Sequence, residues 1–276
     1  MKTNKMHEAP IIKLFGWFRL DLSVAITLLV TCAIVFIIAR LATRNLSVTN
    51  PSRMQNFLEW AVDFVRGIVS STMDMKKGKV FVSLGLTLIM FIFVANMLGL
   101  PLTFVTAHDH QAKFLGMEIS PEVFEKYEAE SHGAEGEEGG HGHHGPEFAW
   151  WKSPTADASV AMGLSLIVFL LVHYLGMTRN TKSYFKHYLE PFPVFLPIHL
   201  VEKVANLLTL GMRLFGNLFA GEVLIATLLG AGIYGIPALV VWQGFSVFVG
   251  SIQAFVFVML TMVYLAQSLE SHDDHH

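Results

Sequence analysis

The feature that most constrains this chain is a series of apolar blocks too long for a soluble fold. Residues 22–39 run for eighteen positions without a charge. Crossing ~30 Å of hydrocarbon takes about 20 apolar residues, so this block sits at the lower limit for a span. Comparable blocks follow at 80–107 and 154–177, and two more fill the last third. They are continuous rather than alternating, which argues against a membrane barrel. Charged residues make up 15% of the chain and mean hydropathy is +0.51, against about 25% charged in soluble domains. A water-soluble enzyme is excluded. So is a nucleic-acid binder, with 19 Lys+Arg against 22 Asp+Glu. The single cysteine, Cys32, rules out an intrachain disulfide. The fold class is an all-α integral membrane protein with about five crossings.

The blocks and the charges between them give an order of segments. Residues 1–21 form an N-terminal segment with Lys2, Lys5, Lys13 and Arg19. The run 22–39 ends at Arg40 with no small-x-small cleavage pattern, so it reads as a retained first span. Residues 40–79 form a basic loop, 80–107 the second span, 108–153 an acidic, His-rich loop and 154–177 the third span. Ser153 suits an N-cap, Pro154 the first helical position, and Asp157 the first turn. An amphipathic connector, 178–196, leads to a helix over 197–229. A turn rich in Gly and Pro precedes a helix over 237–268 and a tail at 269–276. At 1.5 Å per residue these last helices are ~45–50 Å long, so a strongly tilted antiparallel hairpin is expected.

Loop charge sets the orientation. Residues 40–79 carry seven Lys and Arg, and 178–190 carry three. Residues 108–153 carry three against ten acids. The positive-inside rule places the first two segments in the cytoplasm and the third outside. The N-terminus is then outside, although its own four basic residues argue the other way, and the C-terminus is cytoplasmic. The Gly-, Glu- and His-rich stretch 132–144 has no apolar periodicity and reads as disordered. Nothing in it fixes a coordination geometry, so no metal or cofactor is expected.

The informative residues are those a lipid-facing helix does not carry. Glu202, Lys203, Arg213, Asn217, Glu222 and Gln253 all lie within the apolar last third. A charge at the bilayer centre costs about 2.5–3.5 kcal/mol on insertion scales, so such residues mark an ion or proton pathway by default. Glu202, Asn206, Thr209, Arg213 and Asn217 are spaced 4, 3, 4 and 4 and share one helix face. Small residues at 211, 216, 220 and 221 flank that stripe and admit a close backbone neighbour. Glu222 lies nine residues past Arg213, about half a turn off the stripe, and points toward the rest of the subunit. Ser246, Gly250, Gln253 and Tyr264 share a face on the last helix, with Trp242 beside it. Asn217 and Gln253 taken alone read as ordinary interhelical hydrogen-bond partners. Arg213 has no acid within one turn and keeps its charge at any physiological pH. It expects a carboxylate from elsewhere.

The run Leu210-Gly211-Met212-Arg213-Leu214-Phe215-Gly216-Asn217-Leu218-Phe219-Ala220-Gly221-Glu222 resembles the signature of subunit a of F-type ATP synthases. So do Gln253-Ala254-Phe255-Val256-Phe257, the following Leu260–Leu265 stretch, Pro154-Thr155-Ala156-Asp157, and Asn96 late in the second span. The resemblance covers roughly residues 80–107 and 154–268. It implies the Fo stator subunit, with the tilted hairpin beside a ring of c subunits that each bear a membrane carboxylate. It also implies two proton half-channels meeting that ring, kept apart by Arg213. Glu222, Asn217 and Gln253 then line the outer half-channel, with Asp157 near its mouth, and Glu202, His199, Asn206 and Thr209 the inner one. Some family members pair the equivalent of Glu222 with a histidine on the last helix; here Ser246 or its neighbours stand in that region.

The implied partners are the c-ring, the subunit b stalk, the F1 sector and membrane lipid, with no nucleic acid. The implied location is a bacterial inner membrane. No Gly-x-x-x-x-Gly-Lys-Ser/Thr loop is present, so nucleotide chemistry belongs to partner subunits. The competing reading is a proton- or sodium-coupled secondary transporter. It needs paired halves with broken helices, and the sequence has no internal repeat.

Overall fold

The computed structural model describes residues 9–14, 18–99, 105–107, 113–114, 117–126, 146–179 and 196–269. Five helices there are long and apolar enough to cross a membrane. The α-helices among the described residues are, in order, α1 (Leu22–Thr43), α2 (Arg53–Thr72), a short α3 (Met75–Gly78), α4 (Val82–Leu98), α5 (Ala158–Arg179), α6 (Leu196–Gly230) and α7 (Gly235–Leu269). All but α2 belong to crossing segments, α3 and α4 forming one span between them.

The membrane core is built where these helices bury their inner faces. Val65 and Val69 of α2, Leu88 and Ile92 of α4, Ala161 and Val168 of α5, Leu210 and Leu214 of α6, and Phe257, Val258 and Met262 of α7 form one cluster. Helix α5 packs on α6, α4 on α7, and α6 on α7. Glycines permit close approach at two of these helix contacts. A Cβ on Gly211 would run into Met162 and Ser165 of α5, and one on Gly250 would sit 3.2 Å from Asn96 Cβ. Polar side chains inside helices bond their own backbone, as lipid requires. Thr27 and Thr31 of α1 donate to the carbonyls of Ser23 and Thr27 at 2.8 and 2.7 Å.

Several segments differ from the sequence expectation. The first span reaches Thr43 rather than residue 39. Within 40–79, where charge alone predicts a loop, Ser52 caps the amphipathic helix α2 through a hydrogen bond from the Gln55 amide. Its buried residues Ala61, Val65, Ile68 and Val69 recur at helical spacing. The second block does not run as helix to 107. It stops at Leu98, where Trp151 Nε1 donates to the Leu98 carbonyl at 2.9 Å and Ser153 Oγ to the Ala95 carbonyl at 2.9 Å. These take orphan carbonyls of a helix end. Val105–Ala107 is instead a strand, β3.

Pro154–Ala156 is a 3₁₀ turn and α5 starts at Ala158. Asp157 rather than Ser153 caps α5, accepting from the Ser159 amide at 2.9 Å. The last helices begin at Leu196 and Gly235 and end at Gly230 and Leu269, each 35 residues, or ~52 Å at 1.5 Å per residue. Gly232, at φ 64°, turns the chain between them. Most of the connector 178–196, the tail beyond 269 and the His-rich stretch 132–144 lie outside the described residues.

A small cap covers one end of the bundle. Strands β1 (Ile11–Leu14) and β2 (Phe18–Asp21) form a hairpin, β4 (Lys113–Phe114) pairs antiparallel with β5 (Met117–Glu118), and β3 pairs antiparallel with β6 (Glu147–Ala149). Ile12, Leu22, Ile119, Phe124 and Phe148 bury one another. Ser120 Oγ accepts from the Ile11 amide at 2.9 Å and donates to the Ala9 carbonyl at 3.0 Å. Glu122 pairs with Lys13 and lies 3.7 Å from Arg19. The N-terminal segment and the acidic loop therefore lie on the same side of the bundle.

Candidate functional site

Helix α6 divides its polar residues between two faces, as the spacing predicts. Glu202, Thr209, Arg213 and Asn217 are exposed and Asn206 is half-buried, so this chain leaves the stripe uncovered. Leu210, Gly211 and Leu214 on the opposite side are buried. Gly211 thus serves contact within the chain, against α5, whereas Gly216 and Gly221 have nothing within 4 Å of a Cβ. None of the ion pairs among the described residues involves Arg213. Tyr264 of α7 lies within its electrostatic reach. A permanent cation is left facing outward in the middle of a membrane helix.

The half-turn offset takes Glu222 off that stripe and into a cavity of about 260 Å³. Asn96 from α4 and Gly99 just past its end, Ser153, Asn217 and Gly221 from α6, and Trp242, Ser246, Gly250 and Gln253 from α7 also line it. The Glu222 carboxylate is within reach of the Ser153 backbone amide and of the charges on Lys152 and Asp157. The inner wall is closed by Asn217 Nδ2, which donates to Gln253 Oε1 at 2.9 Å. Gln253 is buried, so this bond joins the exposed stripe to the hairpin interior. The face of α7 carrying Trp242, Ser246, Gly250 and Gln253 looks at α6. Ser246 and Trp242 share the cavity with Glu222.

A chain of polar contacts fixes the rim. Asn96 Nδ2 donates to the Gly250 carbonyl at 2.9 Å, and its Oδ1 accepts from Thr155 Oγ1 at 2.8 Å. Thr155 and Ser153 hydroxyls are 2.9 Å apart. Lys152 Nζ donates to Asp21 Oδ2 at 2.7 Å and lies 3.5 Å from Asp157 Oδ2. Asp157, expected at the channel mouth, is held by a cation rather than standing free, and its charge reaches Glu222. Lys152 and Asp21 escaped the sequence reading. The one available signal was an acid immediately before an apolar run, the mark of an N-cap, and Asp21 does cap α1.

The residues assigned to an inner path are less gathered. Glu202, Asn206 and Thr209 follow one face of α6, and His199 lies in its first turn with its side chain outside the described residues. His173 of α5 is half-buried, 2.9 Å from the Phe169 carbonyl and within electrostatic reach of Lys203. Among the described residues no group of three His, Cys, Asp or Glu is placed to hold a metal ion.

Comparison with known proteins supplies what the geometry lacks. Residues 25–266 match the family described as ATP synthase A chain. ATP synthase subunit a of Anoxybacillus flavithermus is 46% identical, covering 97% of this chain and 99% of its own. The subunits a of Staphylococcus carnosus and Priestia megaterium are 40% and 42% identical. They cover 98% and 96% of this chain, and 99% and 98% of theirs.

Proposed function

The chain belongs to the ATP synthase subunit a family, and on that premise we propose that it couples proton flow to ring rotation through two half-channels separated by Arg213. Family membership carries the coarser statement: a multi-pass membrane subunit of the Fo sector, working beside the c-ring and not itself catalytic. The proton path is our reading of the geometry.

Protons reach Glu222 through the cavity on the capped side of the bundle. The Asn217–Gln253 pair marks the inner limit of that space, and Arg213 lies one turn further along α6. There a ring carboxylate meets a cation instead of a proton donor. The guanidinium favours the ionised carboxylate, so the arriving ring subunit releases its proton. Because Arg213 keeps its own proton at any working pH, it passes none across. The proton leaves along the Glu202, His199, Asn206 and Thr209 face, and the emptied carboxylate is reprotonated from the Glu222 side. Each charge crossing 100 mV contributes ~2.3 kcal/mol, so several protons drive one ATP.

Positive loops place 40–79 inside the cell, which puts the cap and the Glu222 cavity outside, in a bacterial plasma membrane. The coupling ion in this reading is the proton. Subunit b and the F1 sector complete the stator and the catalytic head.

The observation that carries this reading is an outward-facing Arg213, in no ion pair among the described residues, one turn from the end of a cavity that Glu222, Asn217 and Gln253 line. Replacing Glu222 by Gln in the assembled synthase tests it. Proton pumping in inverted vesicles is expected to fall at least tenfold while passive permeability stays low. A leaky membrane, or an unchanged rate, would remove Glu222 from the path.

A further inference from the structure

The cavity mouth holds a charge cluster that the proton path as described does not use. Lys152 bridges Asp21 and Asp157, and each acid also holds a helix start with its other oxygen. Asp21 Oδ1 accepts from the Ser23 amide at 2.9 Å, the Ser23 hydroxyl at 2.7 Å and the Val24 amide at 3.4 Å. Asp157 Oδ1 accepts from the Ser159 amide at 2.9 Å. One ammonium thus ties the first turns of α1 and α5 to the segment that precedes Ser153. The cluster is largely shielded, with the three side chains 25%, 17% and 23% exposed. Burial pulls the Lys152 pKa down, but the hydrogen bond and charge of Asp21 and the charge of Asp157 outweigh it and leave it raised. The ammonium is therefore a fixed charge at working pH.

The cluster faces Glu222. The groups around the Glu222 carboxylate can be taken element by element. From α4 comes Asn96 and from just past its end Gly99, from its own helix Asn217 and Gly221, and from α7 Trp242, Phe245, Ser246, Val249, Gly250 and Gln253. None of these ionises. The charged neighbours are Lys152 and Asp157, with Asp21 bound behind Lys152. One cation and two carboxylates leave a net charge of −1 at the rim; without Lys152 the rim carries −2. A carboxylate facing two uncompensated acids holds its proton more tightly.

We propose that Lys152 is a positioning residue of the outer proton path. It fixes the Ser153 amide toward Glu222 and offsets Asp21 and Asp157, so that Glu222 can give up its proton toward the ring. This rests on the reading of Glu222 as the outer carrier.

The test measures ATP-driven proton pumping in inverted vesicles of the whole synthase as a function of pH on the capped side. Lys152→Gln is expected to move the profile upward by about one pH unit. Lys152→Arg keeps the wild-type profile, and Asp157→Asn moves it downward. Opposite shifts from two variants that break the same ion pair cannot come from simple loosening of the rim. Subunit a recovered with the purified complex controls for assembly; should Lys152→Gln fail to assemble, the Asp157→Asn and Lys152→Arg pair still decides. The Lys152→Gln shift is also measured on a Glu222→Gln background, where it should vanish. A shift that survives there, equal shifts from both variants, or no shift at all overturns the proposal. An unimpaired Glu222→Gln single variant overturns the carrier reading itself, separately.

Discussion

Arg213 carries the heaviest constraint of any residue in the chain, since a charge is held in the membrane without a partner among the described residues. Removing the guanidinium removes the reason for a passing carboxylate to ionise. Arg213→Ala is therefore expected to abolish ATP-driven pumping, with a drop of at least a hundredfold, while the subunit still inserts. Arg213→Lys should fail nearly as far, because an ammonium lacks the planar fork and sheds its proton when desolvated. Coupled pumping at the wild-type rate in either variant, measured by fluorescence quenching in vesicles, would remove Arg213 from the separator role. Asn96 shows a different kind of dependence. It is buried and satisfies both Gly250 and Thr155. Asn96→Leu removes the bond to the Gly250 carbonyl and the bond from the Thr155 hydroxyl, which keeps Ser153 as a neighbour, at about 0.5–1.5 kcal/mol each in soluble interiors and nearer 0.6 kcal/mol in membranes. The membrane figure applies on the lipid-like α7 side and the larger one at the rim. A lowered unfolding temperature of the detergent-solubilised complex is the expected result.

At the scale of elements, glycines on one helix do opposite jobs. Gly211 lets α5 approach α6, whereas Gly216, five residues on, meets open space. Gly211→Leu should lower the amount of subunit a in the membrane, since Met162 and Ser165 have to move. Gly216→Leu should leave that amount unchanged and still depress ATP synthesis, because its side chain intrudes on the neighbouring ring. Immunoblots set beside synthesis rates separate the two; equal loss of protein in both would place Gly216 inside the subunit.

The stripe behind this contrast was legible in the sequence. Spacings of 4, 3, 4 and 4 specify one face whatever surrounds it, and the half-turn offset of Glu222 follows from the same arithmetic. The end of α4 was only partly legible. Residues 99–107 continue an apolar pattern past the stop signals Gly99 and Pro101, and the carbonyls freed at the helix end are taken by Trp151 and Ser153, some fifty residues away. Helix α2 was hidden for a related reason. A charge count marks the side of the membrane but is blind to Ala61, Val65, Ile68 and Val69 recurring beneath those charges.

Across the whole molecule, the cap bears on a conflict between two charge signals. Four basic residues near the N-terminus pull against the seven between 40 and 79. Two of the four, Lys13 and Arg19, are partnered by Glu122 of the acidic loop, so fewer free cations remain on that side. The hydrogen bond and charge of Lys13, then the charge of Arg19, hold the Glu122 carboxyl below its ordinary range. A lowered folded pKa means that the clasp acts in full above the ordinary carboxylate pKa and is lost as pH falls through the folded value. Glu122 is exposed, so its part is small and weakened by salt. The buried cluster of Ile12, Ile119, Phe124 and Phe148 keeps the cap assembled.

Deleting residues 131–145 should therefore be tolerated. The flanking residues Phe124 and Phe148 have ring centroids only 5.7 Å apart, so the shortened connection still closes. Assembly and ATP synthesis in proteoliposomes should stay within about twofold of wild type, because the excised stretch, with Ala134 its one apolar side chain, has almost nothing to bury. If its acids and histidines instead concentrate protons near the cavity mouth, the deletion will lower synthesis at low salt and the deficit will fade at high salt, as screening requires. A large deficit that persists at high salt would assign the stretch a binding partner of its own.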